Sequence, residues 1–185
     1  MRAVDAIDYM SDAEPAPGRL VLVERFVNTV DHEHGREVLS EPGRLRGVLE
    51  LDAGIRIGDD DLRRALRLRE ALRSLALANN GGEEDPAAVA VLEDAAARGR
   101  LVARVDDEGG VLEAERRDAA GALAELVGIV YAAKVDGTWE RLKACRRDIC
   151  RWLFYDRSRN RSAVWCSMAV CGNRTKTRAY RARRA

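Results

Sequence analysis

All four cysteines of this 185-residue chain fall between positions 145 and 171, as two equally spaced pairs, Cys145/Cys150 and Cys166/Cys171. Thiolates on two short loops joined by a hairpin can surround one tetrahedral Zn²⁺, the chemistry that fits this spacing best. An iron–sulfur centre and four plain buried thiols are the alternatives. In a reducing compartment thiols seldom pair, so clustered cysteines argue for metal rather than for a disulfide framework. If all four ligands come from protein, no position is left for water or substrate. The expected metal is therefore one structural zinc per chain, not a catalytic one.

The same segment is strongly basic. Residues 141–185 carry 14 Lys and Arg against Asp148 and Asp156, a formal charge of +12, while the remainder carries 18 basic and 29 acidic residues, or −11. A module of roughly 40 residues with that charge buries too little apolar surface to fold without a staple, which a metal would supply. Its charge points to a polyanion as partner. In "DRSRNRS" the alternation of Arg157, Arg159 and Arg161 would place all three on one side of an extended loop. The tail "CGNRTKTRAYRARRA" as a helix would align Arg174, Arg178 and Arg181, with Lys176 and Arg183 behind and Arg184 following; it could equally order only on binding. These nine cations are the candidate nucleic-acid contacts, for duplex DNA or for RNA. Trp152, Phe154, Tyr155, Trp165 and Tyr180 lie in the same segment. They are expected mainly as a miniature core over the metal, the sharper alternative being a stacking platform for bases.

The elements that must position this module read as α+β. Residues 1–18 form a Pro/Gly-ended leader, and the apolar run "RLVLVERFVNTVD" leans towards helix. Ser40 is placed to cap a second helix that enters through Glu41 and Pro42 and ends near Gly54. Asp59-Asp60-Asp61 opens the clearest helix, stopped by Asn79-Asn80-Gly81-Gly82, and Pro86 starts another through about Arg98. Leu101 to Leu112 reads as a β-hairpin turning at Asp107-Glu108-Gly109-Gly110. Asp118 caps a long helix with Leu123, Leu126, Val127, Val130 and Tyr131 on its apolar face, and Gly121 and Gly128 within it imply close packing. Gly137 marks a break. After it, "RWLFYD" and "AVW" read as two short strands around "RSRNRS". The expected architecture is a mostly helical domain with one hairpin over residues 19–137, followed by a zinc-stabilised module over 139–185.

Other motifs carry less. His32-Glu33-His34 lacks the spacing of a zincin helix. Asn28-Thr29 beside Asp31 could bind a small polar ligand, or simply end a helix. No P-loop, dinucleotide fingerprint or nucleophile elbow is present, and the chain reads as a binding protein rather than an enzyme. The N-terminus has acids where a signal peptide needs a basic start, and the most apolar window is too short to span a bilayer. A cytoplasmic location follows.

From Trp139 onward the sequence closely resembles the CGNR zinc-finger family, on "FYDRSRNRS", "WCSMAVCGNR", the cysteine spacing and the basic tail, with the naming tetrapeptide at Cys171-Gly172-Asn173-Arg174. The resemblance implies that Cys145, Cys150, Cys166 and Cys171 bind zinc and that basic residues contact DNA. Before the "WCSM" tryptophan, where basic residues are expected, this chain has Ala163-Val164. More loosely, "RFVNTVD" with "LRLREALRSLALANNGG" is similar to the ABATE domain that precedes this finger in proteins regarded as stress-induced bacterial transcription regulators. That implies an upstream sensing or dimerising domain, with a small-molecule effector and a homodimer as expected partners. RNA or ribosome binding, or a ligand-binding enzyme with a structural finger, are the other functions open at this point.

Overall fold

A computed structural model describes residues 14–106, 109–182 and 184. The leader residues 1–13, Asp107 and Glu108 of the expected turn, and Arg183 lie outside them. The described elements are α1 (Leu20–Val27), β1 (Val30–Asp31), β2 (Arg36–Glu37), α2 (Pro42–Val48), α3 (Asp59–Ala78), α4 (Pro86–Gly99), β3 (Leu101–Asp106), β4 (Gly109–Ala114), α5 (Ala119–Val135), β5 (Leu142–Ala144), β6 (Leu153–Tyr155) and α6 (Asn173–Ala182). The three strand pairs are antiparallel hairpins. The fold is α+β, helices with small hairpins, ending in a cysteine-clustered module.

Local chemistry explains most of the boundaries. Asp59, Asp60 and Asp61 stand in the first turn of α3, where negative charge suits the helix dipole, and the Asp61 carboxylate accepts the Gly58 amide at 3.0 Å. Asp85 accepts the Ala87 amide at 3.0 Å ahead of Pro86, and Asp118 accepts the Gly121 amide at 3.1 Å to start α5. A Cβ at Gly121 would collide with the Arg116 carbonyl oxygen, so only glycine lets the loop into α5 turn this tightly. At α2 the expectation fails. Glu41, not Ser40, precedes the helix, with no side-chain cap, and the helix stops at Val48 because Glu50 takes a left-handed conformation with φ of 50°.

Val23, Val27, Leu45, Ala65, Leu72 and Ala76 are wholly inaccessible and form the centre of the main core, with α5 packed on α4, β4 and α1. Tyr131, expected on the buried face of α5, is 57 % exposed. Residues 14–18 lie on the fold: Ala16 is buried and its amide donates to Glu24 at 2.6 Å. The main core also continues past Gly137. Trp139, Leu142, Ala144, Leu153 and Tyr155 belong to it, whereas the four cysteines, Trp152 and Phe154 form a second, smaller cluster. The hairpin β5–β6 thus has one foot in each core.

Candidate metal centre and nucleic-acid interface

The hairpin β5–β6 carries the first cysteine pair. Cys145 follows β5 directly and its amide donates to Trp152 O at 2.9 Å; the loop then tightens where the Cys150 amide meets Arg147 O, also at 2.9 Å. Arg151 closes the loop with φ of 53°. Of the second pair, Cys171 sits in a π-helical turn, Met168–Gly172, and Cys166 two residues ahead of it, next to Ser167, which caps the turn by accepting the Val170 amide at 3.3 Å. Gly172 is buried beneath Met168 and Trp165; a Cβ there would approach the Met168 sulfur to 2.5 Å. The glycine after Cys171 has an ordinary φ and lets the Met168 and Trp165 side chains pack close to its backbone.

These loops bring four buried Sγ atoms within 4.8 Å of one another. Cys150 to Cys166 is 3.6 Å and Cys166 to Cys171 is 3.7 Å. Tetrahedral zinc with bonds of about 2.3 Å requires sulfurs about 3.8 Å apart, so the donor set fits the ion. Hydrogen bonds from Cys150 and Cys166 lower the Cys145 thiol's pKa, and the same shared bonds, with burial, raise those of Cys150 and Cys166. Cys150 and Cys166 thus resist ionising beside Cys145, as expected where a cation is needed to hold neighbouring thiolates together. Trp152 and Phe154 are buried against the cysteines, with Trp165 and Val170 packed beside them. Trp152 and Phe154 therefore take the core role expected of the aromatics, while Tyr180 is 51 % exposed on α6.

The expected strand at "AVW" does not form. Its backbone groups are taken by side chains and by the first cysteine loop: the Ala163 amide donates to Asp156 at 3.0 Å, Lys143 reaches Ala163 O at 3.2 Å, and Val164 O accepts from Asn80 and from the Arg146 amide. The strand that pairs with β6 is Leu142–Ala144, upstream of the first cysteine. The loop between is organised by a buried ion pair, Lys143 Nζ to Asp156 Oδ2 at 2.7 Å, and Lys143 also donates to Arg161 O at 2.5 Å. Burial opposes ionisation of Asp156, but hydrogen bonds from Lys143 and Ser158 win and hold its pKa below the usual carboxylate range. The single-sided extended strip expected of Arg157, Arg159 and Arg161 is replaced by a turn, because the Arg161 amide donates to Ser158 O and Arg161 has φ of 51°. Arg157 pairs with Glu14 at 3.0 Å, donates to Pro15 O and lies 5.4 Å over the Tyr155 ring. Arg159 and Arg161 project outward, as do Lys176, Arg178, Arg181 and Arg184 on or just beyond α6.

The inner side of the module is gripped by long-range polar contacts. Asn28 donates to Leu153 O at 2.9 Å and accepts the Leu153 amide at 2.8 Å, acting as a one-residue strand partner for β6. Thr29 donates to Phe26 O and accepts from Arg69, so both candidate ligand-binding side chains are buried and hydrogen-bonded within the fold. Asn79 donates to Trp139 O and Leu142 O; Asn80 donates to Ala144 O at 2.8 Å and Val164 O at 2.9 Å. Arg73 bridges Arg151 O and Val27 O. Sequence reasoning missed Arg73, Lys143, Asp156 and the second role of Asn79-Asn80. The one visible signal was Asp156, an acid inside a segment of fourteen cations.

A family model for the CGNR zinc finger matches residues 141–184. The model for ABATE, described as "Putative stress-induced transcription regulator", matches residues 18–144, more than half of the chain. The chain belongs to the ABATE family. Its ABATE region and CGNR finger overlap at residues 141–144, which include β5, the strand that lies in the main core and ends at the first cysteine. The four cysteines of the finger form the site of one structural zinc. No curated protein matches the chain. Among the described residues, no helix is long and apolar enough to cross a membrane.

Proposed function

We propose that this ABATE–CGNR protein is a cytoplasmic DNA-binding transcription regulator whose finger contacts duplex DNA and whose ABATE region senses an effector or dimerises. One observation carries the reading. Arg159, Arg161, Lys176, Arg178 and Arg181 are exposed on the zinc-stapled segment, and among the described residues none has an acidic side chain as ion-pair partner. Elsewhere on the chain many arginines are paired, as Arg63 is with Asp60 and Arg98 with Asp94. A concentration of exposed cations without acidic partners on one small segment is the footprint expected of a polyanion site.

In this reading α6 supplies phosphate contacts through Arg178 and Arg181, and the 157–161 turn, held from behind by Lys143 and Asp156, presents Arg159 towards a groove. The inner clamps fix the direction in which both elements face. The protein acts by binding rather than by chemistry, because four cysteine ligands close the metal site to substrate. Titrating the zinc-loaded chain side by side with a duplex DNA and a structured RNA at one salt concentration tests the proposal. Duplex binding at least tenfold tighter than RNA binding supports it; the reverse order transfers the same cation surface to an RNA partner.

A further inference from the structure

One cation pair on the finger is already occupied by an anion of the chain itself. Arg147, in the first cysteine loop, and Arg174, the last residue of the CGNR tetrapeptide at the start of α6, are 27 positions apart, yet both point their Nη1 at the carboxylate of Glu33. Arg147 reaches Glu33 Oε2 at 2.6 Å and Arg174 takes the other oxygen, Oε1. The Glu33 side chain is only 11 % exposed, whereas that of Arg174 is 56 % exposed. Arg147 also faces Cys171 Sγ at 3.9 Å, so it stands between the metal site and the carboxylate. Glu33 lies on the turn between β1 and β2, which is closed from within by Asp31, paired with the His34 ring at 2.7 Å and accepting its amide at 3.1 Å, while β2 beside it is tied to α3 by Glu37 and Arg69 at 2.7 Å.

Two guanidinium groups converging on two oxygens of one anion is the geometry with which proteins hold a phosphate. We infer that Arg147 and Arg174 form a phosphodiester seat, and that Glu33 fills it in the free protein and leaves it when a nucleic-acid phosphate enters. The inference rests on the nucleic-acid reading of the finger. It adds Arg147 to that surface and makes Glu33 the residue that competes with the ligand. The exchange forms and breaks no covalent bond. A short turn with His32, His34 and Gly35 exposed carries Glu33, so withdrawal of the carboxylate need not disturb the core. Because the displaced anion belongs to the chain, its competition acts at every protein concentration and weakens binding to all sequences alike.

The test compares zinc-loaded full-length wild type, Glu33→Gln and Glu33→Gln/Arg174→Gln. With a random duplex at low salt, Glu33→Gln is expected to bind about tenfold more tightly than wild type, and the double variant to lose that gain. Thermal unfolding in phosphate against chloride at matched ionic strength reads the seat without nucleic acid: phosphate should raise the Tm of Glu33→Gln and leave the other two unmoved. Should Glu33→Gln lose zinc, Glu33→Asp, which keeps the charge but shortens the reach, is read instead and should bind duplex two- to threefold more tightly. Equal or weaker duplex binding and no phosphate effect in a zinc-loaded Glu33 variant would overturn the inference. If phosphate stabilises Glu33→Gln while no chain binds any duplex, the seat stands and the DNA reading fails.

Discussion

The two sides of the cysteine module are built in opposite ways. On the inner side backbone groups have dedicated side-chain partners: Asn28 on Leu153, Asn79 on Trp139 and Leu142, Asn80 on Ala144 and Val164, Arg73 on Arg151. On the outer side Arg159, Lys176, Arg178 and Arg181 stand in solvent with no acidic partner among the described residues. Buried polar groups left unpaired are costly, so the inner side is what folding requires. Exposed cations cost little and contribute little to stability, so a concentration of them is explained by what they bind. Under the proposed function, the clamped backbone serves folding and the unpaired cations serve binding, within one small hairpin-and-helix unit.

Removing the metal should break the comparison most completely. Cys166→Ser is expected to abolish zinc binding, measured by elemental analysis, and to lower duplex affinity by more than a hundredfold, since structural zinc contributes on the order of 10 kcal/mol to such modules. Amide exchange should show residues 156–182 opening while β5 and β6, which share the main core, stay protected. Loss of protection throughout the chain would show that the inner clamps depend on the metal.

Next in size is the buried pair behind the turn. Lys143→Met leaves the Asp156 carboxylate without its cation and should cost about 3–5 kcal/mol, read by denaturant unfolding of the zinc-loaded protein. The pair also predicts the pH dependence. The Asp156 pKa is depressed in the folded state, so the unfolded state binds more protons on acidification. The pair's contribution is present above the ordinary carboxylate range near pH 4 and is lost as pH falls through the depressed value; Asp156→Asn should remove that part of the acid sensitivity.

A smaller loss is expected from Asn80→Ala, which strips one donor from two carbonyls, Ala144 O and Val164 O. About 1–3 kcal/mol is the expected cost, seen as a fall in Tm, because Ala144 O loses its side-chain donor while Val164 O keeps only the Arg146 amide. An exposed-face change such as Arg178→Ala should by contrast stay within about 0.5 kcal/mol.

What was legible in the sequence follows the same division. The cysteine pairs, Pro86 at the start of α4, the cap at Asp118, the acidic start of α3 and the 101–114 hairpin are local signals, each complete within a few residues. Asn79-Asn80 was readable as a helix stop for that reason, and its second role was not, because its partners lie 60 to 84 residues away. "AVW" misled in the other direction: its side chains suit a strand, but Asp156, Lys143 and Asn80 claim its backbone, and no pattern of apolarity reports that. Tyr131 followed the helical period of its neighbours, yet among the described residues it is left 57 % exposed. The outer arginines were legible as charge; that Arg174 is held by Glu33 and Arg157 by Glu14 required coordinates.

The most direct test of the division between faces is the salt dependence of duplex binding by the zinc-loaded chain, measured for wild type and for Arg178→Ala/Arg181→Ala. Each phosphate contact contributes about 0.9 to the slope of log affinity against log salt, so the double variant should show a slope lower by nearly 2, with an unchanged Tm and full zinc content. An unchanged slope in the double variant, or no duplex binding by wild type even at low salt, would contradict the assignment of the outer face to DNA.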